Sequence, residues 1–211
     1  MLDQEQYTTQ ILTEFNMNRC NAMKTPCPSF RLMSAMCPQT DKERRASTTL
    51  PYCAIVGKCM YLSNCTHPDI SFAVQELAKF MSNYGAKHYE AVKHLLCYLQ
   101  GTRGRGITYS NEPNPYPIFK SFADSNWAMS KNRKSISGFI IECGNGPLTW
   151  SSKQQVVVTL SSCEAEYIAC SHCTKQILWL HSLFNKIGFP QKNPTPLYCD
   201  NQGTVACTHD P

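Results

Sequence analysis

The sequence has no run of about 18 consecutive apolar residues, and its opening MLDQEQYTTQ has neither a basic stretch nor an apolar one behind it. A membrane span and a secretory leader are therefore not expected, and the chain is read as intracellular, cytoplasmic or nuclear. Charge is also sparse: 17% of residues are charged against 42% apolar, too little charge for general disorder and enough apolar material for a packed core. There is no internal repeat. The excess of 20 basic over 15 acidic residues, a net charge of +5, tolerates a polyanionic partner without requiring one. At 211 residues the chain has room for one large domain or two small ones.

Cysteine is abundant, with 13 residues, but their number is odd and their spacing scattered, so a disulfide framework cannot use them all. In a reducing compartment they serve as small buried hydrophobes. One C-x-x-C occurs, Cys170 to Cys173, with His172 between and Cys163 before it. A structural zinc site needs a second ligand pair at workable spacing, and none is evident. These residues are read as packing.

Tyr7, Ile11, Leu12 and Phe15 at helical spacing behind Asp3 predict an N-terminal helix with Asp3 as its cap. Three prolines and the charged run DKERRASTT predict a flexible linker over 24–50. Helical patterns follow at 52–64, 68–82 and 88–100, with Pro68 suited to a first turn and Gly101 to a C-terminal cap. After Gly104 the apolar period shifts toward two, predicting strands at 106–109, 118–122, 136–142 and 148–151. A long helix is expected over 162–187, closing at Gly188-Phe189-Pro190, then a strand at 197–199 and a helix from about residue 201. The fold class is α/β, a mixed sheet with helices, in three parts: 1–50, 51–110 and 111–211.

Asp124 and Asp200 lie near the carboxyl ends of predicted strands, and Glu166 lies early in the long helix. Acids gathered from distant sequence repel one another, and a hard divalent cation with oxygen ligands relieves that repulsion. A cap or turn role is the plainer reading of each acid taken alone.

Several ordered motifs go further: FADSNWA, RKSISGF, WSSKQQ, LSSCEAEYIA, LWL and CDNQ. Together they resemble the ribonuclease H domain of copia-type retrotransposon Pol polyproteins over roughly 116–211. The preceding segments QYTTQILTEFNMNRCNAMKTP, LPYCAIVGKCMYLSNCTHPDISFAV and HYEAVKHLLCYLQGTRGRGITYS resemble the end of the copia-type reverse transcriptase, its thumb and connecting region. The resemblance implies a ribonuclease H-like fold behind a small helical region. Matched motif by motif, it implies Asp124, Glu166 and Asp200 as catalytic metal ligands, with Glu164 as the alternative helix acid. Glu164 lies two residues earlier and points about 200° away around the helix.

The implied chemistry is hydrolysis of RNA in RNA:DNA hybrids with two Mg2+ ions about 4 Å apart. Asp124 would serve both ions, Asp200 the nucleophile side and Glu166 the leaving-group side. Lys131, Arg133 and Lys134 follow Asp124 and are candidates for phosphate contact, with Ser135 and Ser137 as hydroxyl donors. A solvated loop is the alternative reading of that basic run. Trp127 and Trp150 are expected to fill core space.

Three departures stand out. Asn126 occupies a position where the family commonly has aspartate. No Tyr-x-Asp-Asp polymerase motif is present, so DNA synthesis is not expected of these residues. The family's fourth acidic ligand lies beyond the final helix and has no counterpart within the 211 residues, Asp210 being too close to Asp200 to replace it. Two functions follow: a ribonuclease H-type hydrolase, impaired here, or a catalytically inactive relic that at most binds nucleic acid. No membrane association is expected, and protein partners are not legible.

Overall fold

A computed structural model describes residues 1–110, 118–129 and 132–209. The chain divides into two compact units, Met1–Ile107 and Thr108–Pro211. Its class is α/β: among the described residues there are seven α-helices and a mixed four-stranded sheet. No described helix is long and apolar enough to cross a membrane.

In the first unit, a short strand β1 (Leu2–Asp3) precedes α1 (Glu5–Glu14), α2 (Asp41–Thr48), α3 (Tyr52–Cys65), α4 (Ser71–Ala78) and α5 (Ala86–Thr102). A short β2 (Gly106–Ile107) then pairs antiparallel with β1. Ile11 and Leu12 from α1, Ile55, Val56, Cys59 and Leu62 from α3, Leu77 from α4 and Val92, Leu95, Leu96 and Leu99 from α5 form one buried core. Tyr52 crosses it, stacking on Tyr84 and donating its hydroxyl to Leu77 O at 2.7 Å.

Two local expectations change. Asp3 belongs to β1 and the residue before α1 is Gln4, which makes no side-chain cap, yet Asp3 Oδ1 still accepts from Glu5 N–H at 3.3 Å at the helix start. Gly101 lies inside α5, where a Cβ would come within 2.8 Å of the Ala22 Cβ. Close approach of another segment, rather than a helix end, is what that glycine permits.

The stretch expected as a flexible linker is structured. Cys27, Phe30 and Leu32 pack against the helical core, and a His94 ring nitrogen meets Thr25 O at 2.9 Å. The charged run becomes α2 because its first turn is capped at both ends of a reciprocal pair: Thr40 Oγ1 accepts from Glu43 N–H, and Glu43 Oε2 accepts from Thr40 N–H. The N–H groups of Gln39 and Thr40 hold the Glu43 carboxyl below the usual carboxylate range. A helix with one buried residue, Ser47, thus needs no apolar stripe to start.

The second unit orders its strands β5-β4-β3-β6, where β3 is Phe119–Asn126, β4 Ile136–Cys143, β5 Gly146–Gln154 and β6 Leu197–Tyr198. β3, β4 and β5 are antiparallel, and β6 joins β3 in parallel. Gly144 and Asn145, at φ +58° and +57°, make the two-residue turn between β4 and β5, matching the twist of the flanking strands.

One face of this sheet is covered by α6 (Ser162–Lys186), whose Ala165, Ala169, Cys173, Ile177 and Leu180 form a buried stripe on Phe119, Ala123 and Ile141. The Ser161 hydroxyl caps its start by accepting from Glu164 N–H at 3.1 Å. At the far end Gly188 takes φ +89°, and Phe189 N–H and Gly188 N–H return to Phe184 O and Asn185 O, the Schellman arrangement. A last helix, α7 (Gln202–His209), follows β6.

Thr40→Ala should speed amide exchange in the first turn of α2 about fivefold, the equivalent of about 1 kcal/mol of lost cap, without changing exchange in α6. Ile141→Ala, which empties a fully buried position under α6, should cost the second unit about 2–5 kcal/mol in a denaturant titration.

Candidate active site

The site is built at one end of β3 by the two-residue period of the strand. Phe119, Ser121 and Ala123 are buried toward α6, while Lys120, Phe122 and Asp124 alternate onto the exposed face. Ser125 shares the α6 side, and there it meets Glu166. Its backbone N–H and its hydroxyl both donate to Glu166 Oε1, at 3.0 and 3.1 Å. Glu166 is buried, only 5% exposed, although it carries a carboxylate on the second turn of a helix.

Asp200 reaches the same place from β6. The parallel register pairs Ser121 with Leu197 and Phe122 with Tyr198, so the chain leaves β6 toward the Asp124 end of β3. Ligand atoms of Glu166, Cys199 and Asp200 all lie within 4.8 Å of one another. The Cys199 thiol points at Glu166 Oε2, 3.8 Å away. Cys170, one turn after Glu166 on α6, is near enough to Cys199 and Glu166 to feel both. All thirteen cysteines are free thiols.

The electrostatics follow from this crowding. Burial pushes the Glu166 carboxyl above the usual carboxylate range; the two hydrogen bonds from Ser125 oppose the rise, and the charges of Asp124 and Asp200 add to it. Burial, with the neighbouring Cys199, pushes the Cys170 thiol up to about 12.

Glu164 does something different. It sits exposed in the first turn of α6, and its Oε2 accepts from Leu160 N–H at 2.7 Å. It caps the helix rather than joining the acids.

The basic candidates separate. Arg133 is exposed in a left-handed conformation at φ +56°, and Lys134 is half-buried with its N–H on Asn132 Oδ1. Lys131 and Asp210 lie outside the described residues.

Ser135 and Ser137 are not surface donors. Ser135 is fully buried, accepting from Ala128 N–H and bonded to Thr159 Oγ1, and the Ser137 hydroxyl accepts from Gln155 Nε2 at 2.9 Å. They stitch the loop before β4 to the segment before α6, work that a buried hydroxyl must do to offset its desolvation. Trp127 is 43% exposed, with its indole N–H donated to Thr159 O, so it is not core either. Trp150 is half-buried.

The structure adds residues that the sequence did not single out. Ser125 follows Asp124 in the same motif, and Cys199 precedes Asp200; an odd-numbered neighbour of a strand acid faces the covering helix, a signal the alternation carries. Lys153 and Lys175 both act on His172, and with burial, the largest influence, they hold its ring below the usual imidazole range. Lys153 on β5 and Lys175 on α6 are both exposed and form a basic patch around it.

Comparisons with known proteins give the ancestry. The chain is 37% identical over 206 residues to the retrovirus-related Pol polyprotein from transposon TNT 1-94 of Nicotiana tabacum, a match covering 97% of this chain and 15% of that protein. It is 33% identical over 213 residues to the Pol polyprotein from transposon RE1 of Arabidopsis thaliana, covering 99% of this chain and 14% of that one. The chain belongs to the copia-type retrotransposon Pol polyprotein family.

It spans about one seventh of the length of these Pol polyprotein relatives. It is also 36% identical over 132 residues to the secreted RxLR effector protein 161 of Plasmopara viticola, covering 62% of this chain and 92% of that protein. No family model matches, and no solved structure does.

The raised Glu166 carboxyl carries a stability prediction. A carboxyl raised in the folded state binds its proton more tightly there than in the unfolded chain, so its stabilising share is full below the ordinary pKa of 4.5 and is lost as pH rises through the folded value. Glu166→Gln keeps the acceptor for Ser125 and removes the charge. The variant should melt higher than the parent at pH 7 in the absence of metal, and the difference should vanish near pH 4; thermal scans at the two pH values check this.

Proposed function

We propose that the second unit of this Pol region is a ribonuclease H-like domain that hydrolyses the RNA strand of RNA:DNA hybrids, and that the first unit is the thumb and connecting end of a reverse transcriptase. The observation that carries the reading is the cluster itself: two acids from separate elements with ligand atoms within 4.8 Å, and a third, Asp124, whose charge is felt at Glu166. Burying like charges together is costly, and a site that concentrates them has a use for a cation. The sheet order, with three antiparallel strands, a parallel fourth and a helix across one face, supports the same reading.

The donor set suits magnesium. Ser125 fixes Glu166 Oε1, Oε2 lies 3.8 Å from the Cys199 thiol, and Asp124 and Asp200 are both exposed at the end of the sheet. Asp124, Glu166 and Asp200 would hold the ions, which supply the positive charge that polarises a phosphodiester and activates water. The remaining work belongs to the chain. Ser125 keeps the Glu166 carboxylate oriented, and α6 fixes its height against β3. Arg133 and Lys134, with the Lys153 and Lys175 patch, supply charge for the phosphates of the hybrid. Ser135 and Ser137 act only by shaping the loop that carries Arg133.

A second reading, a catalytically inactive relic that binds nucleic acid, draws support from the similarity to a protein named as a secreted effector rather than a Pol polyprotein.

The two separate in one assay, cleavage of an end-labelled RNA:DNA hybrid by the 211-residue chain with and without Mg2+. Magnesium-dependent cleavage, reduced at least about tenfold by Asp124→Asn, is expected. Binding of the hybrid without cleavage, weakening steeply with salt, would establish the relic reading instead.

A further inference from the structure

After Glu166 no aspartate or glutamate occurs until Asp200, so the rest of α6 and the segment beyond it, residues 167–199, carry lysine and histidine but no acid. The same stretch exposes large apolar side chains. While one face of α6 is laid on the sheet, Leu178, Trp179 and Leu183 lie outside that buried stripe and are 64%, 55% and 36% exposed. Large apolar side chains gathered on one exposed surface and edged by charge mark an interaction site.

Their spacing gives the surface a shape. Lys175, Leu178, Trp179 and Ser182 follow the i, i+3, i+4, i+7 pattern along α6, and so do Trp179, Ser182, Leu183 and Lys186. Four residues so placed frame a hole that takes one side chain of a facing helix. Trp179 and Ser182 belong to both sets, so the two holes lie about one turn apart, with a lysine at the outer corner of each. We propose that this face docks an amphipathic helix of a protein partner, one presenting two large apolar side chains a turn apart with aspartate or glutamate beside them.

Charge selects the occupant. A second copy of this chain would bring lysines against lysines across a surface without acids, and like charges facing each other suppress a pairing. Nucleic acid would pair with the lysines, but its interfaces are polar, and two leucines stand between these cations. Apolar knobs with acidic flanks answer both features. Lys175 also belongs to the patch around His172, whereas Trp179 lies about 20 Å along α6 from Glu166. The proposal therefore goes beyond the hydrolytic reading and does not depend on it.

The probe is a synthetic heptad peptide with leucine at a and d and glutamate at e and g, whose own charges keep it from pairing with itself. A second peptide carries lysine in place of each glutamate. Each is labelled and titrated with the full chain, reading fluorescence anisotropy. Saturable binding of the glutamate peptide is expected, at least about tenfold tighter than that of the lysine peptide at low salt, with the gap narrowing as salt rises. Trp179→Ala should weaken it at least about tenfold. Lys186→Glu should shift the preference toward the lysine peptide, which lost packing alone would not do.

The control is Val157→Ala, at an exposed apolar residue ahead of α6, and it should bind like the parent. Trp179 and Lys186 are exposed, so their variants keep the fold, which circular dichroism checks. No saturable binding of the glutamate peptide, equal affinity for the two peptides, or binding indifferent to Trp179→Ala would overturn the site. A dimer of the chain alone that sedimentation shows to be lost in Trp179→Ala would give the face to a second copy, and hybrid binding lost in that variant would give it to nucleic acid. Either overturns the proposal. Magnesium-dependent cleavage should be the same in Trp179→Ala and the parent, so this reading and the hydrolytic one fail separately.

Discussion

Glu166 is the constraint on which the second unit turns. A carboxylate that is 5% exposed, with two other acids close enough to disfavour its charge, has to be compensated locally. The compensation comes from Ser125, which gives both a backbone N–H and a hydroxyl to one oxygen. Those two bonds tie α6 to β3 at one point. The register of the buried stripe from Ala165 to Leu180 then follows, since a helix pinned at its second turn can lay only one face on Phe119, Ala123 and Ile141.

A separate pair of bonds explains why the helix starts where it does. Ser161 caps α6 through the N–H of Glu164, and Glu164 turns back to the N–H of Leu160. Two glutamates separated by one residue thus have opposite duties: Glu164 accepts from the Leu160 N–H just ahead of the helix, and Glu166 faces the sheet. The dipole at a helix N-terminus favours both carboxylates, but only the first remains in water to benefit from it cheaply.

Much of this was legible in the sequence, for identifiable reasons. The period-two strands and the long apolar stripe of α6 were visible because each has a regular side-chain repeat, and the boundaries at Ser161 and Gly188 carry their own chemistry. The helix over Asp41–Thr48 was not, because its stability rests on a reciprocal cap between Thr40 and Glu43 rather than on an apolar face. Gly101 was misread for a similar reason: a glycine near the end of a helical pattern looks like a cap, and only the position of Ala22 shows that it permits close packing. The inward turn of Ser135 and Ser137 was equally hidden. Serines beside a basic run resemble phosphate donors, and nothing in the sequence reveals that Thr159 and Gln155 are waiting for them.

The alternation of β3 finally accounts for how one strand serves structure and site together. Odd-numbered residues from Phe119 to Ala123 build the core, and Ser125, the next in that series, spends its two donors on Glu166. Even-numbered Phe122 stacks on Tyr198 of the neighbouring strand on the exposed face, at 5.2 Å, and Asp124 follows it two residues on. Because β6 runs parallel to β3, its own alternation is in step: Leu197 packs toward α6, Tyr198 faces outward, and Cys199 turns back toward Glu166. A one-residue slip of β6 would exchange these faces, sending Cys199 away from α6 and Tyr198 into the core. The stacking of Phe122 on Tyr198 therefore does more than cover apolar surface. It holds the register that determines which donors, oxygen or sulfur, meet at the end of the sheet.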